Sequence, residues 1–315
     1  MSRSILWSVR WGCLWLLGAC AALPDVTPFD TATRDLAAAV KSAGEAAVGE
    51  VERMEVVAEL EDKKLSARLR SAWDERDKAM SSFVRYSASL QELAASANDG
   101  RKAGAALAEK VAGLATSLGW TDPGGVVDVA TSAAAFVWAQ IALARSAATM
   151  EEAMTTLHPA VERMADALGA DFAKALEAAE GAAQFQRGRI VGDKAYRAAR
   201  DAEKKAQEER TAILTELGRK LDDAEARTAR LDVLAGVLAA AEDAAAPYRE
   251  KLEEIDRRES ALRAMIASAK SGLGRWSVAH ADLTAAIKAR RTIDTSALID
   301  AAVELRGLVR KVKEL

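Results

Sequence analysis

The chain has 315 residues, of which 44 are basic and 47 acidic, giving a formal charge of −3 at pH 7. Because there is no basic excess to neutralise phosphates, this balance argues against a nucleic-acid-binding protein. Only 19 glycines and 5 prolines occur, strong helix formers dominate, and no alternating β-branched run is bounded by turn signals. The sequence therefore predicts an all-α fold.

The amino-terminal segment has the layout of an exported leader. Arg3 and Arg10 precede a short apolar run at 11–19, which is too short to span a bilayer and ends in small residues. We interpret residues 1–19 as a signal peptide. The alternatives are an ordinary cleaved signal in which Cys20 is incidental, and an uncleaved anchor.

The sequence Leu17-Gly18-Ala19-Cys20 resembles the lipobox of bacterial lipoproteins. The resemblance implies cleavage before Cys20, a diacylglyceryl group on its sulfur and, usually, acylation of the new amino terminus. Two or three acyl chains give stable anchoring, because each buried methylene contributes about 0.8 kcal/mol and one chain alone is marginal. Cys13 lies in the leader, so the mature chain would have no free thiol and no disulfide. The lipobox specifies a mode of anchoring and no activity.

The residues after the predicted lipidation site suggest where the protein is anchored. In Gram-negative envelopes, an Asp after the cysteine resembles the signal for retention at the inner membrane, so Ala21 favours the outer membrane, with the chain facing the periplasm. Residues 20–33 contain Pro24 and Pro28 and show no apolar period. We predict that they form the acylated cysteine and a short tether.

Residues 34–315 predict an elongated helical bundle with long antiparallel coiled-coil helices. Apolar residues recur at heptad-like spacing in two long tracts, and mixed charges lie between the apolar stripes. We expect the second tract to end at Gly272-Leu273-Gly274. The predicted segments are a long helix at 34–97, an Ala/Gly-rich apolar hairpin at 101–168, a long helical tract at 193–270 and C-terminal helices at 275–315.

The apolar segment 126–144 supports two interpretations. Asp128 and Gln140 are its only strongly polar residues, and at about 1.5 Å per residue it approaches the thickness of a bilayer. With 103–118 it would form an apolar hairpin similar to the membrane-inserting tongues of α-helical pore-forming toxins. We favour a central helix buried on all sides, because the segment is rich in alanine and only moderately hydrophobic.

Residue patterns typical of catalysis or metal binding are absent from the sequence. His158 and His280 are the only histidines, and neither lies in a His-x3-His or Glu-x-x-His arrangement. No Walker, dinucleotide-binding or Gly-x-Ser-x-Gly motif occurs. We therefore predict no enzymatic activity, no catalytic residue, no metal, no cofactor and no small-molecule substrate. Cys20 remains as the predicted lipid-attachment site.

The basic carboxyl end and the tryptophans each have a structural and a functional interpretation. Arg306, Arg310, Lys311 and Lys313 can contact lipid phosphates, but cations also stabilise the carboxyl end of a helix, and we favour this second role. Scattered tryptophans are expected to fill space in an alanine-rich core. Trp120 is the exception, since it lies beside a glycine-rich loop and is expected to be an exposed contact point.

Together these features predict a lipid-anchored scaffold, spacer or adaptor of the bacterial cell envelope. Its acyl chains would hold the membrane, and its coiled-coil helices would contact a protein partner or a second copy of the chain. The alternative is a membrane-active protein, pore-forming or membrane-remodelling, that uses the apolar hairpin at 103–144.

Overall fold

A computed structural model describes residues 24–57, 64–96, 100–120, 132–217 and 224–315. Within these ranges the structure has eight helices and no strand, which confirms the all-α prediction. The helices are α1 (Thr27–Val57), α2 (Lys64–Ser96), α3 (Gly100–Ser117), α4 (Ser132–Arg145), α5 (Met150–Gly192), α6 (Lys194–Leu217), α7 (Ala224–Ala289) and α8 (Ser296–Lys313).

A single apolar core joins α1 to α5, the second half of α7 and α8 into a bundle. Large rings fill its centre. Trp276 of α7 is 1% exposed, its ring lies edge-on to Phe83 of α2 with centroids 4.2 Å apart, and its Nε1 donates to Thr33 Oγ1 of α1 at 2.9 Å. Because the indole N–H is paired, the ring is buried without an unsatisfied donor.

The predicted long helix at 34–97 is instead a pair of antiparallel helices, α1 and α2. Ser87 Oγ donates to Asp30 Oδ1 at 2.8 Å, and Lys41 pairs with Asp77 at 2.7 Å. The prediction of one helix was wrong because both helices have the same apolar period. Residues 58–63, which lie outside the described ranges, contain no glycine or proline to indicate a reversal.

The predicted tract at 193–270 is likewise two antiparallel helices, α6 and α7. Arg230 Nε lies 2.6 Å from Glu209 Oε1, and the Tyr248 hydroxyl donates to Asp193 Oδ1 at 3.1 Å. The periodicity of the tract was identified correctly, but period alone cannot distinguish a helical hairpin from a continuous helix.

The break expected at Gly272-Leu273-Gly274 does not occur, and α7 continues to Ala289. A Cβ on Gly272 would lie 2.7 Å from Leu36 Cδ1. The glycine therefore allows α1 to pack closely on α7. An isolated glycine can serve packing inside a helix as well as end one, and here it serves packing.

The predicted tether is too long, because α1 begins within it at Thr27. The Asp25 carboxylate accepts a hydrogen bond from the Thr27 backbone N–H at 2.9 Å, and hydrogen bonds from Thr27 lower the pKa of Asp25 below its usual value. Pro28 lies in the first turn, where no amide donor is needed. Phe29 is fully buried, so this turn belongs to the bundle.

The predicted apolar hairpin corresponds to α3, α4 and the first part of α5, with residues 121–131 outside the described ranges. The expectation of a helix buried on all sides is wrong for the described part, α4. Its neighbours are α3 and α5, so Val137 and Ile141 are buried while Leu143 is 59% exposed. Among the described helices, none is both long and apolar enough to cross a membrane.

The contact between α1 and α2 can be tested at Gly44, which lies against the Trp73 indole. A Cβ at Gly44 would lie 1.7 Å from Trp73 Cε2 and Cζ2, so Gly44→Ala must displace the ring from its edge contact with Phe172. We expect the free energy of unfolding to fall by about 1–3 kcal/mol, measured by urea denaturation.

Gly49 provides a matched control on the same helix, because a Cβ there would have no atom within 4 Å. Gly49→Ala is expected to raise the free energy of unfolding by up to about 1 kcal/mol, since alanine is the better helix former. Similar effects of the two substitutions would contradict the packing of α1 on Trp73.

Candidate interaction site

α6 and the first part of α7 extend from the bundle as an antiparallel pair. We call this pair the arm, residues 194–217 and 224–248. It is held over most of its length by contact between its own two helices, and its buried residues are not part of the bundle core. Among the arm residues whose burial the structure describes, the buried ones are Ala199, Ala206, Leu234, Ala241 and Ala245. Because four of the five are alanines, the two helices can approach each other closely.

Hydrogen bonds and ion pairs fix the register of the arm. Arg230 donates to both carboxylate oxygens of Glu209, at 2.6 and 2.8 Å, which lowers the pKa of Glu209 and raises that of Arg230. Where the arm meets the bundle, Asp193 accepts hydrogen bonds from two backbone N–H groups at the start of α6 and from the Tyr248 hydroxyl, which lowers the pKa of Asp193. Asp193 thus caps α6.

The part of α7 within the arm has an apolar face that the arm itself does not cover. Residues 233–241 contain no charged side chain, and only Leu234 and Ala241 among them are buried. Val233 is 54% and Val237 39% exposed, one helical turn apart. We call this surface the valine face. Exposed apolar side chains grouped on one face are typical of interaction sites.

The structure also brings together the two histidines. His158 Nδ1 of α5 lies 3.2 Å from His280 Nδ1 of α7, and the Tyr86 hydroxyl of α2 lies 2.6 Å from His280 Nε2. Burial, together with the nearby His158, lowers the pKa of His280 from 6.5 to about 3, and burial raises the pKa of Tyr86. His280 is therefore neutral at physiological pH, with one ring nitrogen donating and the other accepting.

The histidine cluster links three helices inside the core. The rings of Phe29 and Trp276 lie beside His280, with centroid distances of 6.4 and 6.2 Å. In the described ranges, no three His, Cys, Asp or Glu side chains are placed to hold a metal ion. Sequence spacing gave no indication of the cluster, because its members lie on different helices and meet only through packing.

The predicted lipid-attachment residue, Cys20, lies outside the described residues. Near the carboxyl end, Arg306 approaches Asp35 of α1, with 3.5 Å between Nη1 and Oδ1. Arg310, Lys311 and Lys313 are exposed in the last turn of α8. Their position at the end of the helix suits the favourable interaction with its dipole that the sequence suggests.

The tryptophans pack mainly as expected for an alanine-rich core. Trp276 is fully buried, and Trp73 and Trp138 are half-buried against the core. Trp120 is half-buried there too, so the expectation of an exposed contact was wrong. Its backbone N–H donates to the carbonyl of Ala115 at 3.0 Å, which folds the residues after α3 back onto that helix.

Comparison with known proteins gives no relative from which a function can be transferred. No family model matches the sequence, and no curated protein or solved structure is significantly similar to it. The fold itself defines an all-α helical bundle that carries a two-helix arm. Functional interpretation therefore depends on the surfaces of this chain.

Stability is expected to fall as the pH drops from 7.5 to 5 because of His280. At a pH well above 6.5 this residue is neutral in both states, whereas below 6.5 the unfolded chain binds a proton that the folded chain excludes until about pH 3. At about 1.36 kcal/mol per pH unit, the free energy of unfolding falls by about 2 kcal/mol by pH 5. Urea denaturation across this range measures the loss.

His280→Gln removes the titrating ring and keeps a side chain that can form hydrogen bonds. The variant is expected to be less stable than the unmodified chain at pH 7.5. Between pH 7.5 and 5, its free energy of unfolding should fall by about 2 kcal/mol less than that of the unmodified chain. Parallel profiles for the two proteins would contradict a neutral, buried His280.

Proposed function

We propose that the protein is a lipid-anchored helical scaffold of the bacterial cell envelope that acts through protein–protein contacts. Acyl chains on Cys20 would hold it at the outer membrane, facing the periplasm. The bundle would position the arm, and the valine face would dock on the same face of a second copy. The observation that carries this proposal is the uncovered valine face.

The composition of the arm suits contact with another helix. Its two helices bury mainly alanine between them, so they gain less from apolar burial than the helices of the bundle. The larger side chains of Val233 and Val237 instead face solvent. Gly236 and the alanines around these valines would let another helix approach closely.

A second copy of the chain supplies a matching surface. An apolar face is complementary to itself across a two-fold axis, which is the commonest symmetry of soluble oligomers. Antiparallel pairing with the two-fold axis midway between the two valines would place Val233 against Val237 of the partner subunit, so the apolar side chains would cover each other.

Membrane activity of residues 103–144 is the second candidate, favoured by the exposure of Leu143 on α4. Its weakness is that α3 and α4 already use their apolar residues in the core, including Leu107, Val137 and Ile141. Insertion would have to remove these side chains from the bundle and expose the surfaces that they cover.

Vesicle flotation distinguishes the two candidates. Residues 21–315, without the lipid, are expected to stay unbound to both anionic and zwitterionic vesicles, because the scaffold is anchored by its acyl chains. Flotation that is abolished by Val137→Asp would contradict the scaffold and support insertion of the hairpin.

Association through the valine face is tested on the same protein by size-exclusion chromatography with light scattering. We expect a concentration-dependent dimer that becomes a monomer when Val233→Lys and Val237→Lys are combined, because two ammonium groups would be buried in an apolar contact.

Val278→Lys provides the control, since Val278 is 61% exposed on α7 outside the arm. This variant is expected to dimerise like the unmodified chain. A chain that stays monomeric at all concentrations, or a dimer that the two arm substitutions leave intact, would contradict docking through the valine face.

A further inference from the structure

A pocket of about 370 Å³ lies where the arm meets the bundle. Its volume falls within the range of small-molecule sites. Side chains of α1, α5 and α7 form its wall, in which Ile190, Tyr248 and Ile255 supply apolar surface and Glu50 and Arg258 supply buried charge.

Glu50 is a buried carboxylate without a hydrogen bond. It is 1% exposed, and neither of its oxygens has a hydrogen-bond partner. Arg53 Nη1 lies 2.9 Å from Oε1 and Arg258 Nη1 lies 3.7 Å from Oε2, but neither approach has hydrogen-bond geometry. Burial raises the pKa of Glu50. A buried acceptor without a hydrogen bond destabilises the folded chain unless another group donates to it.

Arg258, in turn, has hydrogen-bond donors that lack an acceptor. Its Nη2 lies 2.7 Å from Glu254 Oε1 and donates to the carbonyl oxygen of Leu315. Its Nε and Nη1, in contrast, are buried and have no acceptor. A hydrogen bond from a guanidinium group to a carboxylate is charge-assisted and is therefore among the stronger ones in proteins.

The other acidic residues of the wall are already paired. Glu254 lies against Arg258, and Asp193 accepts its hydrogen bonds at the start of α6. The unsatisfied groups are therefore two carboxylate oxygens and two guanidinium nitrogens. An anion alone would satisfy the nitrogens and face Glu50 with like charge, while a cation alone would lie between Arg53 and Arg258. A ligand that carries both charges avoids each conflict.

We propose that this pocket binds a small zwitterion, a free α-amino acid with an apolar side chain. Its ammonium group donates to the Glu50 carboxylate, and its carboxylate accepts from Nη1 of Arg258. Its side chain packs against Ile190 and Ile255. Binding involves no covalent step.

Isothermal titration calorimetry of residues 21–315 with L-leucine tests the proposal. We expect saturable binding with a dissociation constant below about 1 mM. Leucinamide lacks the carboxylate and 4-methylpentanoate lacks the ammonium group, so each should bind at least about tenfold more weakly through loss of a charge-assisted hydrogen bond. Glycine, which lacks the apolar group, should also bind more weakly.

The proposal is wrong if neither L-leucine nor L-phenylalanine binds saturably up to 10 mM. It is equally wrong if 4-methylpentanoate or inorganic phosphate binds as tightly as leucine, because the pocket would then select anions and leave Glu50 unused. These comparisons use the unmodified side chains, so they do not depend on whether a variant folds.

Glu50→Gln identifies the site. It keeps the shape of the side chain and removes the charge, so leucine should bind about tenfold to a hundredfold more weakly. Asp256→Asn is the matched control, because Asp256 is an exposed carboxylate on α7 that pairs with Arg187 outside the pocket. Leucine affinity that is equal in Glu50→Gln and Asp256→Asn would place binding elsewhere. Dimerisation through the valine face is tested by its own substitutions, so failure of that prediction can be distinguished from failure of amino-acid binding.

Discussion

The continuity of α7 is the constraint on which the rest of the structure depends. This helix has 66 residues, which correspond to a length of about 99 Å. Its second half lies in the bundle core, where Trp276 and His280 contact α1, α2 and α5. Its first half pairs with α6 outside that core. One helix joins the two parts, so the packing of Trp276 and His280 sets the direction of the arm. Pro247, at the junction, lacks the N–H that would donate to the carbonyl of residue 243.

Polar groups in the core restrict how the helices can pack. Three buried hydrogen bonds join α1, α2 and α7 at defined positions along the helices. They link Thr33 to Trp276, Asp30 to Ser87 and Tyr86 to His280. Alanine-rich surfaces alone tolerate sliding of one helix past another, since neighbouring positions have similar size and shape. A buried donor that loses its partner costs about 1–3 kcal/mol, so each of these pairs disfavours a displaced register. The arm has fewer such constraints, and its register depends on exposed pairs such as Arg230–Glu209.

The chain has two candidate functional sites, the pocket and the valine face. Glu50 and Arg258 contribute to stability less than a well-paired buried ion pair would, because their hydrogen-bonding capacity is not filled. Val233 and Val237 expose apolar surface to solvent, and this exposure does not stabilise a monomer. The pocket lies at the base of the arm, beside Tyr248 and Asp193, which hold α6 against α7. A ligand there would therefore contact the residues that set the direction of the arm.

The sequence by itself determined the helical class, the apolar periods and the amphipathic faces, because these depend on residue type and spacing along one helix. It also suggested that Arg310, Lys311 and Lys313 would lie in a helical last turn. Tertiary structure decided the rest. Contacts between helices decide three features of the fold. They decide whether 34–97 is one helix or two, whether Gly272 ends α7 or allows close contact with Leu36, and how far α4 is buried. His158 and His280, like Glu50 and Arg258, lie on different helices, so only packing brings them together. Local sequence cannot encode such contacts, because helix period fixes which face is apolar but not which helix will cover it.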